Sequence, residues 1–347
     1  MELREIDAPG WHRVVAASDP ASNLSAIVSV HDATLGPGCG GTRMRAYASF
    51  DEALEDVKRL SRGMTFKNAL GHIPFGGGKA VIIGDPSTDK SDALFKSFGR
   101  AIDQLEGLYY TAEDSGITEH DLEIVRGETK FVGGIAGKGE GGNPSPFTAH
   151  GVWRGIQAAA RYKLGTESLK GVRVAILGVG AVGMALAKHL AEEGAELVVA
   201  DVNKAAVAQA VTEFGASATD PDECIAADVD IFSPCALGGS IHAGSIDRLK
   251  AKIVAGAANN QLFTPDMDEA LRAKGVLYAP DYVINATGVI SVGLEILGQW
   301  SEEELTRRID RIGDTLTDIF ARADKEGRPT GEIADQMASE IIETGRT

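Results

Sequence analysis

Four residues in the first third of the chain are of types that could do proton chemistry. In "IPFGGGKAVIIGDP" (73–86), three glycines precede Lys79 and an apolar run follows it. Upstream, "GMTFKNAL" (63–70) places Lys67 near the end of a helix-periodic stretch. "YYTAEDSG" (109–116) closes an apolar strand with Glu113 and Asp114, just before a turn-forming Ser115-Gly116. Glycines before a lysine suggest either a phosphate-gripping loop or an amine in a tight pocket. The phosphate loop fails on its residues: GxxxxGK[ST] needs glycine where Ile73 stands and a hydroxyl where Ala80 stands. The glycines then read as clearance that lets a ligand approach the backbone. A desolvated lysine has a lowered pKa, and with a carboxylate at a strand end it makes an acid/base couple useful near neutrality. By composition alone, a lysine and an aspartate also describe a surface ion pair, the commoner arrangement.

A second constellation lies a hundred residues on. In "RVAILGVGAVGMALAKHL", Gly178, Gly180 and Gly183, with Ala181 and Val182 between the last two, form GxGxxG between a strand pattern and a helix pattern. Asp201 closes the next strand, 23 residues after Gly178. Such a turn offers backbone N–H groups and a helix N-terminus to a pyrophosphate, and the aspartate suits ribose hydroxyls. Its charge repels a 2′-phosphate, so the expected cofactor is NAD rather than NADP; Lys204 nearby softens that discrimination. The competing reading is a βαβ turn that binds nothing.

The surrounding elements must position these residues. "HRVVAASDPASNLSAIVSVHDATLGPG" reads as a hairpin or meander turning at Asp19-Pro20. A helix follows, with Ser49 as N-cap, Asp51 and Glu52 in its first turn, and Leu54, Val57, Leu60 and Met64 as its apolar stripe. "KAVIIGD" reads as a buried strand, and "GGIAGKGEGGNPSPFT" as a boundary. Beyond it, strand and helix patterns alternate through "VDIFSPCA", "KIVAGAAN" and "VLYAPDYVIN", which predicts a doubly wound parallel sheet. The expected fold is α/β in two domains with a cleft between them. Residues 1–145 form a substrate, catalytic and oligomerisation domain, and 146–325 a Rossmann NAD-binding domain. A terminal helix at about 326–347 packs back on the first domain.

Bulk properties bound the function. A chain of 347 residues exceeds one ordinary core. A net charge of −16 disfavours nucleic acid and anionic membrane surfaces as partners. Cys39, Cys224 and Cys235 show no paired or metal spacing, the seven histidines show none either, and no metal is expected. The start "MELREIDAPGW" lacks a signal-peptide pattern, so the expected location is cytoplasmic.

"LGPGCGGTRM", "GMTFKNALGHIPFGGGKAVIIGDP", "YYTAEDSG", "GNPSPFTAHGVWRG", "LGVGAVG", "VAGAANNQL" and "YAPDYVINATGVI" occur in this order. In that order they resemble the glutamate/leucine/phenylalanine/valine dehydrogenase family over nearly the whole chain, nearest to its leucine dehydrogenase branch. The resemblance implies NAD-dependent, reversible oxidative deamination of an L-amino acid to a 2-oxo acid and ammonium. It implies Lys79 and Asp114 as the acid/base groups, and Lys67 as the ligand of the substrate carboxylate beside Gly40, Gly41 and Met64. Thr148, Ala236, Asn260 (or its neighbour Asn259) and Asn285 fall at cofactor positions. Cys39, Ala112, Val289 and Val292 line the side-chain pocket, all apolar, which disfavours a dicarboxylic substrate. Leucine, valine and isoleucine are expected first, and phenylalanine or another aromatic amino acid second. Thr287, where the family usually has glycine, bears on the pocket near Val289. The different-class alternative is a catalytically silent NAD-binding regulator. The family also implies a homo-oligomer, a dimer or larger.

Overall fold

The computed structural model describes residues 1–135, 144–236 and 238–345, and the chain groups into two compact units. The first comprises Met1–Gly142, Val289–Leu305 and Ala338–Thr347; the second comprises Asn143–Gly288 and Thr306–Met337. Half of the glycine-rich boundary segment expected at 133–148, residues 136–143, lies outside the described residues.

In the first unit, β1 (Glu2–Glu5), β2 (Arg13–Asp19) and β3 (Leu24–Asp32) form an antiparallel meander that turns after Asp19. The short strands β4 (Gly38–Cys39) and β5 (Thr42–Arg45) lead to α1 (Phe50–Leu70) and to β6 (Gly76–Ile83). Then come α2 (Asp92–Asp103), β7 (Tyr109–Tyr110) and α3 (Glu119–Arg126). The sheet order is β1-β2-β3-β6-β4-β7, with β5 also paired to β6. Side chains alternate faces along β6. Val81 packs with Val14, Ile27, Ala53 and Val57 on the α1 side. Ala80 and Ile82 join Phe95, Phe98, Leu122 and Val125 on the side of α2 and α3. Ser49 caps α1 as expected, its side chain accepting the Glu52 N–H.

The buried stripe of α1 differs from the expected one. It runs through Ala53, Val57, Ser61, Thr65 and Asn68, while Leu54, Leu60 and Met64 are half-buried. Small and hydroxyl residues occupy the stripe because the helix lies close on a strand that begins in glycine.

The second unit opens with α4 (Ser145–Leu164) and continues β8 (Arg173–Leu177), α5 (Ala181–Glu192), β9 (Glu196–Ala200), α6 (Lys204–Phe214) and β10 (Ser217–Ala218). Next are α7 (Pro221–Cys224), β11 (Ile231–Pro234), α8 (Ala243–Ile246), β12 (Ile253–Val254), α9 (Asp266–Ala273) and β13 (Leu277–Tyr278). The chain ends in α10 (Asp281–Ile284), α11 (Thr287–Ile296), α12 (Glu302–Glu326) and α13 (Thr330–Thr344). The sheet order is β10-β9-β8-β11-β12-β13, all parallel, which is the doubly wound order of dinucleotide-binding folds. "DYVI" is helical rather than part of the preceding strand, with Pro280 at its N-cap.

Two boundaries differ from expectation. Val289–Leu305 groups with the first unit, where Glu295 accepts the Gly134 and Ile135 N–H groups at 2.8 and 3.3 Å and Val292 and Ile296 pack at Gly133. The last helix divides between units: Thr330 donates to the Tyr278 carbonyl and Asp335 accepts the Tyr282 hydroxyl, both at 2.7 Å, so its first half packs on the second unit. Among the described residues, no helix is long and apolar enough to cross a membrane.

Candidate active site

Three neighbouring segments of the first unit assemble one cluster. The chain from Gly40 to Met44 runs parallel to 110–115, with the Thr42 N–H donating to Ala112 O at 2.8 Å and Met44 N–H to Ser115 O at 2.9 Å. On its other side β5 pairs with β6, Thr42 opposite Ala80. This register brings together Arg43, Lys79 and Asp114, which are far apart in sequence. Lys79 Nζ stands 2.6 Å from Asp114 Oδ2, and Arg43 Nε stands 3.4 Å from the same oxygen. Asp114 Oδ1 accepts the Ser115 N–H at 2.7 Å. Of the two strand-end carboxylates, Asp114 meets the lysine and Glu113 is exposed.

Lys79 is only 7% exposed, and burial pushes its amine below the ordinary lysine range, partly opposed by Asp114. Burial alone would raise the Asp114 carboxyl. Lys79 and Arg43 more than offset it and hold the group below the usual carboxylate range. The pair therefore couples an amine disposed to lose its proton to a carboxylate disposed to stay ionised. This is not the arrangement of an exposed surface ion pair.

The glycines before Lys79 serve a purpose other than ligand clearance. They lie inside β6, and a Cβ on each would strike protein. On Gly76 it would meet Asp32 O at 2.0 Å, on Gly77 Thr65 Oγ1 at 1.9 Å, and on Gly78 the Tyr109 ring at 2.6 Å. Their missing side chains admit α1, a neighbouring strand and one aromatic ring, which together hold Lys79 in place. Gly40 and Gly41 behave alike, with Gly78 O and Glu113 O each 2.2 Å from a notional Cβ. Tyr109 donates its hydroxyl to Gly40 O at 2.7 Å.

Lys67 and Met64 lie half-buried on the last turns of α1. The adjacent Asn68 is fully buried and donates to the carbonyls of Gly76 at 2.7 Å and Cys39 at 3.2 Å, so it ties the helix to both glycine segments. Burial drives the Cys39 thiol up to about 12, leaving it a small neutral side chain. Ala112 and Val292 converge on Gly134, whose notional Cβ would lie 3.7 and 3.3 Å from them; Val289 begins the same returning segment, half-buried. Thr287 is buried in the second unit against Gly151 of α4, its Oγ1 2.4 Å from a notional Cβ there.

The second unit's glycine turn is built differently. Gly178 has φ +101° and sits against Ala236, whose nitrogen lies 2.7 Å from where a Cβ would stand. Gly183 lets α5 start beside Gly178, whose carbonyl oxygen would lie 1.9 Å from a notional Cβ there. Gly180 faces open space, and α5, which begins at Ala181 and Val182, has no side-chain cap. Asp201 reaches back from the end of β9, its Oδ2 accepting the Val179 N–H at 2.8 Å. An uncapped helix N-terminus, an open glycine and a strand-end carboxylate at one turn fit a dinucleotide. Lys204 pairs with Asp220 at 3.6 Å.

Asn285 donates to Asn259 Oδ1 at 2.8 Å and to Ala257 O at 3.1 Å, so Asn259 is the tethered member of the asparagine pair. Asn260 is exposed with φ +52°. Thr148 is half-buried in the first turn of α4. Sequence reasoning passed over Arg43, Asp56, Tyr47 and Asn68; the available signal was Arg43 standing two residues after Gly41, inside a quoted motif.

The doubly wound sheet and its open glycine turn define the class of nucleotide-dependent oxidoreductases. Comparison with known proteins narrows this. Residues 12–131 match the Glu/Leu/Phe/Val dehydrogenase dimerisation domain, and 200–343 match the Glutamate/Leucine/Phenylalanine/Valine dehydrogenase domain. A leucine dehydrogenase of Geobacillus stearothermophilus is 50% identical over 100% of this chain and 95% of its own length. An L-tryptophan dehydrogenase of Nostoc punctiforme is 42% identical over 97% and 95%. The crystal structure of the L-tryptophan dehydrogenase from Nostoc punctiforme superposes with a TM-score of 0.88 at 40% identity, covering 97% of both chains. The chain belongs to the glutamate/leucine/phenylalanine/valine dehydrogenase family, and it is an NAD-dependent amino acid dehydrogenase.

Proposed function

We propose that the chain oxidatively deaminates branched-chain L-amino acids, leucine, valine and isoleucine, to their 2-oxo acids, with Lys67, Lys79 and Asp114 as its working groups. NAD bound at the glycine turn supplies the hydride acceptor. Lys67 holds the substrate carboxylate as a fixed cation. Asp114, kept ionised, accepts a proton from the substrate ammonium so that the free amine can become an imine as hydride leaves the α-carbon. Lys79 draws a proton from water, which adds to the imine carbon, and it steadies the developing oxygen as ammonia departs. The overall change is amino acid, NAD and water to 2-oxo acid, ammonium, NADH and a proton.

The buried Lys79–Asp114 contact carries this reading, because it supplies both proton-transfer groups at one place. The apolar character of Cys39, Ala112, Val289 and Val292 supports a hydrocarbon side chain. The tryptophan dehydrogenase relative favours an aromatic substrate as the second reading. The match of 12–131 to a dimerisation domain supports a homo-oligomer.

A panel of L-amino acids with NAD and with NADP, followed by absorbance of the reduced cofactor, tests the substrate and cofactor together. Lys79→Ala should lower turnover by ~10²–10⁴-fold while NAD binding by calorimetry is retained. Near-normal turnover in that variant would remove Lys79 from the mechanism.

A further inference from the structure

Behind the Lys79–Asp114 pair lies a second layer of charge. Arg43 on β5 spans two carboxylates, its Nε 3.4 Å from Asp114 Oδ2 and its Nη1 3.1 Å from Asp56 Oδ2 on α1. Asp56 Oδ2 also accepts the Tyr47 hydroxyl at 2.8 Å, and its Oδ1 stands 2.8 Å from Arg59. Arg43 and Asp56 are only 20% and 13% exposed at their side chains, so these charges act through protein more than through water.

We propose that Arg43 and Asp56 are positioning residues for the proton-transfer pair: Arg43 fixes Asp114, and Asp56, held by Tyr47, sets how much of the Arg43 charge reaches Lys79. The proposal rests on the reading of Lys79 and Asp114 as the acid/base groups.

Two cations share Asp114 Oδ2. When Lys79 gives up its proton, Asp114 still has an ionic partner, because a guanidinium does not deprotonate in the working range. The carboxylate thus keeps an ionic partner while Lys79 is neutral. The same cation disfavours a proton on Lys79, while Asp56 acts in the opposite sense. Other titratable groups around the pair include Cys39 on β4, Tyr109 on β7, Tyr47 after β5 and Glu113 beside Asp114. Burial raises all four, which leaves the three thiol and phenol groups neutral. Beyond Asp114 itself, Arg43 and Asp56 act on this one amine with opposite sign.

The test is the pH dependence of kcat/KM for oxidative deamination, measured on the full chain with saturating NAD. Arg43→Met should lower kcat/KM at pH 7 by ~10-fold or more and move the rising limb to higher pH by about one unit. Asp56→Asn should move that limb to lower pH. Arg43→Lys should return it towards the original position. A purely structural role would not produce shifts of opposite sign. Limbs that stay put, or move the same way in both variants, overturn the proposal.

Should Arg43→Met fail to fold, Tyr47→Phe replaces it. Losing that hydroxyl bares the Asp56 charge and should move the limb up, against Asp56→Asn; no opposition between those two overturns the proposal equally. Lys79→Ala separates the two failures. If it keeps its turnover, the acid/base reading falls. If it is inactive and the limbs do not move, only the role of Arg43 and Asp56 falls.

Discussion

Two glycine clusters flank chemistry in this chain, and they do opposite things. Gly76, Gly77 and Gly78 are inside a buried strand, where every missing side chain is replaced by protein. Gly178 and Gly183 likewise admit protein, but Gly180 between them opens on space beside an uncapped helix. Glycine next to a functional group can therefore mean a tightly packed support or an open binding surface. The distinguishing observation is what stands where the Cβ would be. Buried carboxylates divide similarly. Asp114 is held low by two cations, whereas burial pushes Asp268 on α9 up to about 6, and its hydrogen-bond support is neutral: it accepts the Gly331 N–H at 2.8 Å.

Substitutions can sharpen this contrast. The largest effect is expected at Gly77→Ala, whose methyl would stand 2.3 Å from Thr65 N and 2.4 Å from Ser61 O. Backbone must move, and the loss should reach about 3 kcal/mol in urea denaturation. An unchanged midpoint would show that α1 can retreat from the strand at no cost.

Asp268→Asn is expected to act next most strongly, and in the stabilising direction. Because burial lifts the folded-state pKa above that of the unfolded chain, the native state holds more protons between about pH 4 and pH 6. The carboxyl therefore costs stability as pH rises through that window, by ~2 kcal/mol once complete. The amide variant should melt at a higher temperature at pH 8, with the gain fading towards pH 4. A gain independent of pH would argue against titration as its cause.

The smallest effect on stability, under ~0.5 kcal/mol, is expected for Gly180→Ala, since nothing lies within 4 Å of its added methyl. NAD affinity should nonetheless weaken by ~10-fold in calorimetry, because the ligand would meet that methyl. Unchanged affinity would place the pyrophosphate elsewhere.

The parts legible in the sequence were those written locally. GxGxxG with Asp201 needs two consecutive strands with one turn and one helix between them, and the Ser49 cap needs four consecutive residues. Lys79 and Asp114 stood out because each adjoins an unusual local composition. Arg43 and Asp56 were not legible, since their roles arise from the register of β5 between β6 and the 110–115 segment. The glycines of β6 misled for a related reason: sequence shows that a side chain is missing but not what fills its place. The return of Val289–Leu305 to the first unit was hidden too, because it depends on contacts with residues distant in sequence, among them one glutamate accepting two backbone N–H groups about 160 residues away.

That last feature bears on how the protein is made. A ribosome delivers Gly134 and Ile135 long before Glu295, and the whole segment 143–288 emerges in between. The two bonds to Glu295 cannot form until residue 295 has itself left the exit tunnel, after the whole of that segment. A nascent chain stopped near residue 288 would contain every strand of the doubly wound sheet, and an unfinished partner.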